Sequence, residues 1–108
     1  MKGDHLGEFE ELVLLAAAGL GEDAYGVSIK EALDRAASRD VSIGAVYAAL
    51  DRLEAKALLS SHDTPGTPVR GGRRRRSFAI TPEGRRALRE MRAVRDRLWK
   101  SARSRAGG

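Results

Sequence analysis

Apolar residues recur at steps of three and four from the start of the chain. Leu6, Phe9, Leu12, Val13, Ala16, Ala17 and Leu20 share one stripe, with acidic residues on the other face. This period predicts an amphipathic helix over 6–19, ended by Gly19 and Gly21. Asp23 is placed to cap a second helix in which Tyr25, Ile29, Leu33 and Ala36 share one side. Asp40-Val41-Ser42 reads as a short extended piece, a single strand bridge, before a third helix. Ser42 is a good N-cap there, and Val41 and Val46 stand at the two positions of a hydrophobic staple. Ile43, Val46, Tyr47, Leu50, Leu53 and Ala57 then trace the stripe of that helix.

From residue 58 the period shortens. Residues 58–63 and 74–80 read as two strands, the second with Phe78 and Ile80 on one face. Between them lies a loop rich in Pro, Gly and Thr, so the pair is a hairpin with a long tip. Thr81 caps the next helix, and Pro82 takes the first helical position, where a missing N–H costs nothing. That last helix carries Leu88, Met91, Val94 and Leu98 on a narrow stripe, with Trp99 beside it and arginines around it. The expected fold is mainly α with a β-hairpin: a winged helix-turn-helix unit over residues 1–81, a C-terminal dimerisation helix over 82–105, and a tail at 106–108. The stripe of the last helix has no core left to bury it in so small a unit, and a second copy of the chain is the natural cover. Trp99 either packs in that interface or lines a cavity within it.

Length and charge sharpen this picture. The chain has 108 residues, no Cys and a net charge of +5, which suits one small domain and excludes disulfides, thiol catalysis and cysteine-based metal sites. The two histidines, His5 and His62, have no ligand spacing around them. The longest apolar run is too short for a bilayer, and the acids before it do not suit a signal peptide; a soluble, cytoplasmic protein without membrane contact is expected. Residues 1–64 carry 6 basic and 12 acidic side chains, whereas residues 65–108 carry 14 basic and 3 acidic. Such asymmetry points to a polyanionic partner for the second half, against the plainer reading of a solubilising cationic surface.

Arg70-Gly71-Gly72-Arg73-Arg74-Arg75-Arg76 is the sharpest local signal. Guanidinium groups fork onto phosphate oxygens, so Arg70, Arg73, Arg74 and Arg75 at a hairpin tip are expected on a sugar-phosphate backbone or an adjacent minor groove. The third helix opens with small residues, Gly44 and Ala45 after Ser42 and Ile43, that would let it enter a major groove. Tyr47 follows, either within reach of the groove or its rim or as a core aromatic with its hydroxyl at the edge, and Arg52 is the one long side chain placed to read a base. No nucleophile, base or carboxylate pair with catalytic company is found, and Gly71-Gly72 lacks phosphate-loop spacing. No enzyme, metal or cofactor is expected.

Four blocks, in order, resemble the PadR family of bacterial transcriptional regulators: Leu6–Leu15 its opening helix, Ala24-Tyr25-Gly26-Val27-Ser28-Ile29 its Tyr-Gly segment, Ser42–Glu54 its recognition helix, and Gly72–Gly84 its wing strand and the turn into the last helix. The resemblance implies a winged-helix homodimer that represses promoters and is released by a small-molecule inducer or another signal. It adds Tyr25 to the DNA-contact set of Ser42, Gly44, Ala45, Tyr47, Arg52 and the wing arginines. It also implies an interface of first and last helices, here Leu6, Phe9, Leu88, Met91, Val94, Leu98 and Trp99. Two positions differ: Ala48 stands where the family has proline, and Arg95 where short members that bind flat aromatic drugs carry an interface tryptophan. The competing functions are a winged-helix protein-interaction module, which the arginine-rich wing opposes, and an RNA-binding protein, which would need more stacking aromatics.

Overall fold

A computed structural model describes residues 6–38, 40–64 and 75–106. The elements run α1 (Glu8–Leu20), a 3-10 turn (Gly21–Asp23), α2 (Gly26–Ala37), α3 (Ile43–Ala55), β1 (Leu59–Thr64), β2 (Arg75–Ile80) and α4 (Pro82–Ala106). The strands pair antiparallel, with Leu59 opposite Ile80 and Ser61 opposite Phe78. The loop expected between them lies outside the described residues, as do Arg70, Arg73, Arg74, His5 and the end of the chain.

The core forms where three helices meet the base of the hairpin, on the predicted stripes and also at Leu14, which lies off the stripe predicted for the first helix. Val13 and Leu14 from α1, Ile29 from α2, Val46, Leu50 and Leu53 from α3, and Leu59 and Phe78 from the hairpin are buried together. Ser42 caps α3, its Oγ accepting the N–H of Ala45 at 3.1 Å, and Val41 and Val46 are both buried as a staple requires. Thr81 caps α4 through Gly84 N–H at 2.9 Å.

Several expectations are corrected. Asp23 does not cap α2. It belongs to the 3-10 turn that begins at Gly21, whose φ is 58°, and the chain then runs extended through Tyr25. Tyr25 bridges to Ser77, and Phe78 N–H donates to Ala24 O at 2.9 Å. The isolated bridge therefore forms at Tyr25, as a short third member of the wing, and not at residues 40–42. Ser28 supplies the start of α2 instead, its Oγ accepting Tyr25 N–H at 2.9 Å and donating to Asp23 O at 2.6 Å. Ala36 is exposed. Ala57 leaves the α3 stripe, because the helix ends at Ala55 and Ala57 turns left-handed at φ 63°. On the same helix Ile43 and Tyr47 face outward, at 37% and 41% exposure.

The acids of α1 are the largest departure from a simple amphipathic reading. Glu10 and Glu11 are buried because each meets cations brought in by another helix. Arg52 Nε and Lys56 Nζ both reach the Glu10 carboxylate at 2.6 Å; Arg95 Nη2 reaches Glu11 at 2.7 Å. Burial alone would push the Glu10 pKa up, but hydrogen bonds from Lys56, Arg52 and the Gly7 N–H outweigh it and hold the carboxyl below its usual range. The folded state thus favours the ionised form; its stabilising contribution is complete above the ordinary carboxylate pKa and is lost as pH falls through the lowered folded value. Glu10→Ala is expected to cost about 2 kcal/mol at neutral pH, less than a fully buried pair because Arg52 is half exposed. Urea unfolding of both proteins checks this: the gap in stability between them should narrow as the pH falls through the lowered folded value of Glu10.

Candidate nucleic-acid interface

The wing is fastened to the second half of α3. Arg76 Nη2 pairs with Glu54 Oε1 at 2.6 Å, Ser61 Oγ donates to Glu54 Oε2 at 2.6 Å, and Arg76 Nε donates to Ser61 at 3.2 Å. Asp51 lies 3.8 Å from the same guanidinium, which also covers the Phe78 ring at 5.3 Å from its centroid. Arg76 is therefore a strut. Arg52 and Glu54, two residues apart on α3, hold α1 and the wing respectively, so both ends of this Arg-Leu-Glu segment serve to set the pose of the helix.

Between the N-terminus of α2, the exposed side of α3 and the start of β2 lies a cleft of about 530 Å³. Tyr25, Gly26, Val27, Ser28, Glu31, Tyr47, Arg75 and Arg76 line it. Arg75 lies over the Tyr25 ring, 4.8 Å from the centroid, close enough for cation–π attraction that aims an exposed guanidinium along the cleft. The Tyr47 ring rests on Gly26 so closely that a Cβ there would overlap its hydroxyl and ring, including Cε1 at 2.7 Å. Ser42, Ile43, Gly44, Ala45, Tyr47 and Ala48 form an exposed face on α3.

The structure thus brings together Tyr25, Tyr47 and Arg75, with Ser42, Gly44 and Ala45 on the adjoining helical face. It takes Arg52 elsewhere, onto Glu10. Sequence reasoning missed Val27, 56% exposed on α2, whose signal was an aliphatic residue off the apolar stripe; it also missed the Arg76–Glu54 strut. Gly26→Ala is expected to eject the Tyr47 ring at a small cost in stability, since the end of a flexible side chain can give way. Thermal melting should move by only a few degrees, while Tyr47 becomes more accessible to iodination.

On α4, Leu88 and Met91 are partly buried against the core, which corrects the expectation that the whole stripe lacks an intramolecular partner. Leu6 is buried within its own chain and Phe9 packs against the core. Val94, Leu98 and Trp99 are exposed at 39%, 65% and 62%. Among the described residues, no group of metal-ligating side chains is found, and no helix is long and apolar enough to cross a membrane.

Three packed helices, a hairpin bridged to the segment before α2, and an exposed helix beside a cationic strand define a winged-helix transcriptional regulator. The family model described as "Transcriptional regulator PadR-like family" matches residues 14–90, and the chain belongs to that family; it is a DNA-binding regulator and not an enzyme. Similar solved structures agree. A PadR-like transcription factor from Bacteroides fragilis superimposes with a TM-score of 0.76 at 26% identity, covering 89% of this chain and 87% of that one. A PadR family regulator from Clostridium difficile gives 0.69 at 28% identity, covering 94% and 100%. One from Eggerthella lenta gives 0.69 at 29% identity, covering 88% and 82%. Curated proteins give no significant match.

Proposed function

We propose that this protein is a homodimeric, sequence-specific repressor of bacterial promoters, acting in the cytoplasm and released by a small molecule or another signal that changes how two copies pair. Residues 1–81 form the DNA-binding unit, 82–105 the pairing helix, and 106–108 a tail. The observation that carries the reading is the convergence of Tyr25, Tyr47 and Arg75 on one cleft beside the exposed start of α3. The small residues Gly44 and Ala45 let α3 approach base edges in the major groove, with Ser42 and Ile43 beside them. The Tyr47 hydroxyl and the wing cations Arg70, Arg73, Arg74 and Arg75 take phosphates. Arg52, engaged by Glu10, acts on DNA through the pose of α3.

Pairing is supported by the apolar side chains left open on α4, Val94, Leu98 and Trp99. Leu15 of α1 is a further open apolar side chain: it is 49% exposed and stands one helical turn from Glu11, the partner of Arg95.

The test is fluorescence anisotropy with duplexes selected from a random pool. Replacing Arg73, Arg74 and Arg75 by Ala should weaken every duplex together and lower the salt slope by about 0.9 for each phosphate that is no longer neutralised. Ile43→Ser should instead change which sequences are selected. Binding by the triple variant with wild-type affinity and slope would overturn the wing assignment.

A further inference from the structure

The arginines of α4 are not scattered. Arg85, Arg89, Arg92, Lys100 and Arg103 follow one another at helical steps of four, three, eight and three, so they share a single stripe. All five are exposed. The one acid within the stripe is Asp96, 3.9 Å from Arg92 in a solvent-exposed pair. Like charges one turn apart destabilise a helix by about 0.2–0.5 kcal/mol a pair, so this arrangement does not serve the helix itself. Near its far end Lys100 shares a shallow depression with Arg97 and the hydroxyls of Ser101 and Ser104, donors of the kind that meet phosphate oxygens.

Met91 and Arg95 fix which way the stripe faces. Both turn toward the body of the domain, Met91 onto the core and Arg95 onto Glu11 of α1, and the stripe occupies a different side of α4. The same α1 packs against α3 through Glu10 and Arg52, which sets α1 between the reading helix and α4. A straight duplex seated on α3 and the wing therefore does not run along the stripe. From Arg85 to Arg103 the stripe extends about 27 Å at 1.5 Å per residue, which matches about eight base pairs of duplex at 3.4 Å each.

We propose that this face of α4 is a second, sequence-independent DNA-binding surface, which holds a second duplex while α3 and the wing hold the first. The proposal rests on the DNA-binding reading of α3 and the wing. It makes the protein a bridge between DNA segments, with affinity from counterion release and no base preference.

A capture experiment tests it. Full-length protein is loaded on an immobilised duplex, washed, and offered a labelled duplex of unrelated sequence. Wild type should retain the label. The variant Arg89→Gln, Arg92→Gln, Lys100→Gln, Arg103→Gln should load equally on the first duplex and retain at least about tenfold less of the second, with a salt slope for capture lower by about three to four. Replacing the three arginines by Lys should keep capture, which separates charge from fold. Capture undiminished in the Gln variant, no capture by wild type, or capture of duplex RNA but not of duplex DNA would each overturn the proposal. Loss of loading on the first duplex by the Gln variant, with the wing triple variant still loading, would instead overturn the reading of α3 and the wing.

Discussion

Val94→Asp combined with Leu98→Asp should yield a folded monomer that binds its operator about 10²–10⁴-fold more weakly. The weakening follows from broken linkage: in a dimer the second half-site is bound at the high effective concentration set by the first, and a monomer forfeits that gain while touching its own half-site as before. Both side chains are exposed in the single chain, Leu98 at 65% and Val94 at 39%, so aspartate at these positions leaves the core intact. Met91 is the wrong place to put a charge, because it is already packed against the trihelical core and its replacement would unfold α4 from the body. Sedimentation velocity reads the mass, and circular dichroism confirms the fold. An unchanged dimer would place the pairing surface elsewhere. A dimer should present its reading helices about 34–36 Å apart, one turn of duplex.

Gly84→Ala should be strongly destabilising, at about 3 kcal/mol. A Cβ at Gly84 would overlap the carbonyl oxygen of Leu58 and lie 2.8 Å from Ile80 Cγ1 and 3.2 Å from the Leu58 carbonyl carbon. Leu58 O is itself held by Thr81 N–H at 3.1 Å, and the Thr81 hydroxyl donates to Ala57 O at 2.8 Å. The first turn of α4 is thus pinned to the end of α3 by backbone atoms that have nowhere to go. Gly26 makes the contrast: the atoms nearest its added Cβ belong to the half-exposed side chain of Tyr47 and not to backbone. For a domain of this size the Gly84 variant should melt roughly 10–20 °C lower, and a drop of less than a few degrees would mean that α4 shifts freely on the hairpin.

Much of the local structure was legible because its causes are local. The Ser42 and Thr81 hydroxyls accept backbone N–H groups three residues on, Pro82 removes one such donor, and the Val41–Val46 staple packs two side chains five residues apart, so sequence spacing reveals all of them. The apolar stripes of α1 and α3 likewise predicted Val13, Val46, Leu50 and Leu53 in the core, whereas Leu14, off the α1 stripe, is fully buried. Asp23 misled because a side chain suited to capping is only half the requirement. The extended Tyr25 and its bridge to Ser77, some fifty residues away, moved the start of α2 to Gly26, where the Ser28 hydroxyl holds the first turn.

The candidate site divides the same way. The family blocks placed Tyr25, Ser42 and Tyr47 in one functional set, and the hydrophobic period set the outline of three helices and a hairpin. Sequence by itself therefore determined the order of elements, the caps of α3 and α4 and the cationic character of the second half, all of which depend on neighbours along the chain. Tertiary structure decided which charges were free to act. Glu10 could be buried only because α3 delivers Arg52 and Lys56 to it, and Arg76 became a strut only because the hairpin folds over Glu54. An ion pair between residues twenty or more apart leaves no period to read, since its energy comes from proximity that the whole fold must first create.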